Sequence, residues 1–74
     1  MVIVRRRVET AQTRRFSVHR GEGSGWHIRE EHGAMVVASA HYVDWHRVER
    51  ARLRFERGTP AGDGWIEEGP ATVS

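Results

Sequence analysis

The side chains able to do chemistry in this chain are five histidines, ten carboxylates and twelve arginines, with no cysteine and no lysine. The histidines, His19, His27, His32, His41 and His46, raise the question of a metal. Zinc on a helix takes ligands three or four residues apart, whereas His41 and His46 are five apart and straddle a helix start. His19 and His27 become neighbours if the strands that hold them pair, so they are the one pairing of interest. We expect solvated or hydrogen-bonded histidines and no metal site. General acid–base catalysis needs two titratable groups converging in a cleft, and His27 with Glu31, or Asp44 with His46, are merely local in sequence. Ser17, Ser24, Ser39 and Ser74 sit in no nucleophile motif. Gly21, Gly23 and Gly25 suggest a phosphate loop, but such loops run into a helix N-terminus, and here the glycines lead into Trp26. No catalytic residue, cofactor or small-molecule substrate is assigned, and we expect a protein that is not an enzyme.

The arginines offer more. The stretch DWHRVERARLRFERG, Asp44 to Gly58, predicts a helix over 45–57, with Asp44 as N-cap and Gly58 turning left-handed at the end. Val43 and Val48 fall at the positions of a hydrophobic staple. At about 100° per residue, Trp45, Val48, Ala51 and Phe55 form an inward stripe, and Arg47, Arg50, Arg54 and Arg57 form an outward ridge, joined by His46 and interrupted by Leu53. Glu49 and Glu56 lie on the opposite flank, spaced to neutralise Arg52. Such a ridge serves either as a solvated face or as an anion-binding one.

Composition narrows the classes. A chain of 74 residues buries only about 60% of its unfolded surface, and without disulfides the remaining aid to stability is association with a partner. No apolar run approaches the roughly 18–20 residues of a membrane span, and three arginines following Met1–Val4 have the wrong order for a signal peptide. We expect a cytoplasmic protein that does not bind membranes. Formal net charge is only +2, yet residues 1–20 hold six arginines against the single acid Glu9, which suggests contact with a polyanion or an acidic protein patch.

The elements that would position these groups follow from alternation and turn residues. Strands are predicted at about 2–8, 15–20, 26–31 and 34–40, separated by ETAQT, by the GEGSG loop and by a His32-Gly33 turn. That turn would set Ile28 opposite Val37 and Trp26 opposite Ser39, giving one apolar face of Trp26, Ile28, Met35 and Val37; across the glycine loop, Val18 would meet Trp26 and Phe16 would meet Ile28. Trp65-Ile66 docks as a short strand or wraps the core edge, residues 1–66 form one domain, and 67–74 form a mobile tail. The fold class is α+β: an antiparallel sheet of three to four strands with one C-terminal helix packed across one face.

Residues 16–57 resemble, in the order of their elements, the three-strand-then-helix DNA-binding modules at the N-termini of some tyrosine recombinases and in plant AP2-type domains. The shared features are Gly25-Trp26 opening the middle strand, Gly33 at the second turn and an aromatic-containing helix. The resemblance implies a sheet laid in the DNA major groove, although the Ala/Val-rich third strand differs from a polar reading surface. Phe16 and Trp26 have inward parity, so base stacking on the open sheet face is disfavoured and phosphate contact is the expected mode. The expectation is a small non-enzymatic binding module for nucleic acid, with Arg5, Arg7, Arg15, Arg29, Arg47, Arg50, Arg54 and Arg57 as phosphate-binding residues. The alternative is a homodimer joined through its two doubly apolar strands, VIV and AMVVASA, at Val2, Val4, Val36 and Ala38.

Overall fold

The structure, a computed structural model, describes residues 1–68. Its helix, α1 (Trp45–Arg57), has the predicted bounds. Asp44 Oδ1 accepts from the His46 amide at 2.9 Å, which satisfies one of the unpaired donors of the first turn. The C-terminal end differs from expectation: Gly58 has φ −80° and stays right-handed. Its amide donates to the Arg54 and Phe55 carbonyls, both at 3.1 Å, and the buried Thr59 hydroxyl donates to Phe55 O at 3.2 Å, so the last carbonyls are satisfied without a left-handed turn. Val43 stays exposed and does not act as a staple.

The strands are β1 (Val2–Arg7), β2 (Thr13–Arg20), β3 (Trp26–His32), β4 (Met35–Tyr42) and β5 (Trp65–Glu67). Among the described residues they form one antiparallel five-stranded sheet in the order β4-β3-β2-β1-β5, with α1 across one face. The α+β class is as read, with one strand more than the three to four expected. The added strand is β5, reached through a short 3-10 turn at Ala61–Asp63, and it sets Trp65 opposite Arg7 and Glu67 opposite Arg5. Of the expected tail, Glu67 belongs to β5 and the Glu68 amide donates to Val4 O at 2.8 Å; residues 69–74 lie outside the described residues.

Two registers differ from the reading. In the β2–β3 hairpin Val18 opposes Ile28, Phe16 opposes Glu30 and Arg20 opposes Trp26. The pairing is two residues off, so every side chain keeps its face. The GEGSG loop allows the tighter closure: Gly25 has φ +100°, and a Cβ there would sit 2.6 Å from the Tyr42 carbonyl oxygen. In the β3–β4 hairpin the turn residues are Gly33-Ala34, and Val37 is an extra residue between the pairs Glu31–Val36 and Glu30–Ala38. The turn shift alone would preserve parity, but the bulge reverses it. Ile28 therefore faces Ala40 and Trp26 faces Tyr42; Met35, before the bulge, keeps the helix-side parity of its partner His32, Val37 is the unpaired extra residue, and both are exposed.

The core lies between α1 and the centre of the sheet: Phe16, Val18 and Ile28 against Val48, Ala51 and Phe55. The Phe16 and Phe55 rings are 5.5 Å apart, with Ile3, Trp26, Ala40 and Tyr42 packed around them. Trp45, expected in the inward stripe, is 42% exposed and leans edge-on against Trp26 at 5.0 Å. Trp65 is buried apart from this cluster, with the Arg7 and Arg14 guanidinium groups 5.6 and 5.0 Å from its ring centre.

Candidate nucleic-acid interface

Sheet parity divides the eight candidate arginines among three surfaces. Register places Arg5 and Arg7 on the helix-facing side, in line with Phe16 and Ile3, and places Arg15 and Arg29 on the open side. Arg47, Arg50, Arg54 and Arg57 stand on α1.

Ion pairing then separates cations engaged by the fold from cations left for a ligand. Arg5 is held between Glu56 at 4.0 Å and Glu67 at 3.7 Å, and Arg6 pairs with Glu68 at 2.8 Å. The Arg5 Nη1 atom is buried with no hydrogen-bond partner among the described residues, so its contact with Glu67 is coulombic and longer than a hydrogen bond. Arg52 is clamped by Glu49 at 2.7 Å and Glu56 at 2.9 Å; the hydrogen bond and charge of Glu49, then the charge of Glu56, raise its pKa above the ordinary arginine value. Arg7 and Arg14 lie on Trp65, Arg14 also donates to Gly58 O at 3.3 Å, and Arg20 lies 5.9 Å from the Trp26 ring centre. Arg15, Arg29 and the four ridge arginines make no ion pair among the described residues.

The surface along the ridge is concave, as it is also at a separate hollow lined by Gln12, Thr13, Arg14 and His32. A shallow hollow is lined by Tyr42, Arg47, Arg50 and Arg54, and a second one continues it through Arg50, Leu53, Arg54 and Arg57. A third, at the helix start, is lined by His41, Tyr42, Val43, Asp44 and Arg47. The hollows share residues and make one path along α1 on the side of the β4 edge. Its length from Arg47 to Arg57 is about 15 Å at the rise of an α-helix.

Tyr42 is the residue that sequence reading missed. The predicted strand stopped at residue 40, so Tyr42 fell in a connection, and only the bulge in β4 gives it the parity of Trp26. The open face holds a second unforeseen arrangement. His19 and His27 do pair across β2 and β3 as expected, and His41 extends the row onto β4. His27 Nε2 is 2.9 Å from Ser39 Oγ. Among the described residues no group of three or more His, Cys, Asp or Glu is arranged to hold a metal ion, and no helix is long and apolar enough to cross a membrane.

The candidate dimer residues are also separated. Val2 and Val4 lie on β1, which β5 flanks over Arg5–Arg7 and which the Glu68 amide reaches at Val4 O, whereas Val36 and Ala38 lie on β4, at the edge of the sheet. Val36, before the bulge, stays on the open face as expected, whereas the bulge turns Ala38 to the helix side, and both are exposed. The two apolar strands do not pair with each other. The chain matches no protein-family model, no curated protein and no solved structure.

Proposed function

We propose that this protein is a small, non-enzymatic module that binds nucleic acid in the cytoplasm through arginine–phosphate contacts along α1. One observation supports this reading above the others: Arg47, Arg50, Arg54 and Arg57 form no ion pair among the described residues, while the neighbouring acids Glu49 and Glu56 are engaged by Arg52 and Arg5. Like charges three and four residues apart each cost a helix roughly 0.2–0.5 kcal/mol. A fold that has acids at hand and leaves this row uncompensated bears a cost that a bound polyanion removes. Arg5 and Arg7, held by Glu56, Glu67 and Trp65, drop out of the contact set, and Arg15 and Arg29 form a separate, weaker candidate on the open face.

The test is an amide NMR titration with a short mixed-sequence DNA duplex and an RNA of similar length, at low and at moderate salt. The expected result is shifts confined to 42–57 that weaken as salt rises. Shifts centred on Arg15 and Arg29 would move the interface to the open face, and no shifts at low salt would refute nucleic-acid binding.

A second reading is favoured by the sheet edge. β4 is uncharged over its eight residues, with Met35, Val36 and Val37 exposed, and it lacks the charged residues that usually protect an edge. Under this reading the chain forms a homodimer by pairing β4 with its copy.

A further inference from the structure

We propose that the nucleic acid taken by the α1 ridge is single-stranded, with one base stacked on the Tyr42 ring and the adjoining phosphates on Arg47, Arg50 and Arg54. This rests on the reading of the ridge as a phosphate surface and adds what the ligand must present to it. Tyr42 lines the same hollow as those three arginines, so an aromatic side chain and a row of cations border one concavity. It lies on the edge strand, so among the described residues no further strand covers it on the outer side. On the inner side it is backed by its cross-strand partner Trp26, which Trp45 meets at 5.0 Å and Arg20 at 5.9 Å. Tyr42 is therefore half-buried and held in place by packing, which limits the entropy lost when a base lands on it.

The layout of charge selects a single strand. One row of arginines, about 10 Å long from Arg47 to Arg54, matches one line of phosphates. A duplex offers two lines flanking a major groove about 12 Å wide, with its bases stacked on one another and closed to the tyrosine. A single strand has free base faces, and base–aromatic stacking beside a cationic groove is how such strands are held without sequence preference. Asp44 lines the path at the helix start, where its carboxylate repels phosphate. The strand accordingly runs from Tyr42 toward Arg57.

Fluorescence anisotropy at low salt with a labelled oligothymidine, an abasic oligomer of the same length and a duplex of the same length tests both levels. The expected order is oligothymidine first, tighter than the abasic oligomer by roughly 5- to 100-fold. Tyr42→Ala should remove the preference for oligothymidine over the abasic oligomer, and Tyr42→Phe should keep it. Equal binding of the two single-stranded oligomers by the wild-type chain, or tighter binding of the duplex, overturns the stacking proposal and leaves the phosphate surface standing. No binding of any of the three overturns both. The wild-type comparison requires no variant, so a Tyr42→Ala chain that fails to fold leaves the test intact.

Discussion

Replacing Arg50 by alanine should make the protein more stable and a poorer ligand binder. Arg50 is exposed, makes no ion pair among the described residues, and stands three residues after Arg47 and four before Arg54. Each like-charge neighbour costs roughly 0.2–0.5 kcal/mol, so removing both contacts returns about 0.4–1 kcal/mol. Alanine also has the higher helix propensity. For a domain of this size about 1 kcal/mol corresponds to 4–8 °C, so Tm should rise by roughly 2–8 °C at low ionic strength. The electrostatic part of the gain should fade near 1 M salt, where the Debye length is about 3 Å, and leave the propensity part. In the same variant one phosphate contact is lost, and the slope of log K against log salt should fall by about 0.7–0.9. Thermal melts followed by circular dichroism at two salt concentrations, with anisotropy titrations alongside, measure both quantities. Arg52→Ala is the contrasting control, since it breaks the contacts to Glu49 and Glu56 and should lower Tm. A fall in Tm for Arg50→Ala at low salt would mean that Arg50 supports the fold. An unchanged salt slope would remove it from the phosphate surface.

The remaining expectations concern the scaffold. Phe55→Ala removes a ring that is 3% exposed and packs on Phe16, at a cost of about 3–5 kcal/mol; a chain this short holds only about 4–11 kcal/mol in total, so urea melts should show a largely lost or unfolded domain, and a midpoint near wild type would contradict the assigned core. Gly25→Ala combines φ +100° with a 2.6 Å approach to Tyr42 O and should lower stability more than Gly33→Ala, which has φ +63° and open space; about 1–2 kcal/mol is expected for Gly33, and the reverse order in thermal melts would refute the hairpin geometry. Val36→Glu should abolish any dimer formed through β4 in light-scattering measurements, and because the new carboxylate stands opposite Glu31 it should also lower monomer stability by roughly 0.2–1 kcal/mol. Pairing β4 with its copy also brings two arginine ridges toward each other, so a β4 dimer should strengthen with salt, opposite to nucleic-acid binding.

The elements legible in the sequence were those specified by neighbours along the chain. The helix from Trp45 to Arg57 has a cap and a period that lie within fifteen residues, and its bounds were read correctly. The parity of β2 and β3 was readable because Phe16, Val18 and Ile28 alternate with polar residues. β4 is apolar on both sides over Met35–Ala38, so no pattern distinguishes one face from the other, and a single bulged residue at Val37 sufficed to reverse it. β5 is three residues long and gains its identity only by pairing with β1. From the sequence Trp65-Ile66 reads as either a short docked strand or a wrap of the core edge, and only that pairing decides for the strand.

The candidate site was legible as a row of arginines on one helix, and what could not be read was which arginines the fold uses itself. That is decided by β5, whose pairing with β1 joins Glu68 to Arg6 across 62 residues of chain, Glu67 to Arg5, and Trp65 to Arg7 and Arg14. The most basic stretch of the sequence is thereby spent on holding the C-terminal strand. Glu56 divides itself between Arg5 and Arg52, which leaves no glutamate of α1 for the ridge. With twelve arginines and a net charge of only +2, the protein is nearly neutral as a whole. The arginines with neither an ion pair nor a ring partner among the described residues are the four of the α1 ridge and, on the open face, Arg15 and Arg29, so the placement of carboxylates rather than the number of arginines decides which cations the fold leaves unpaired.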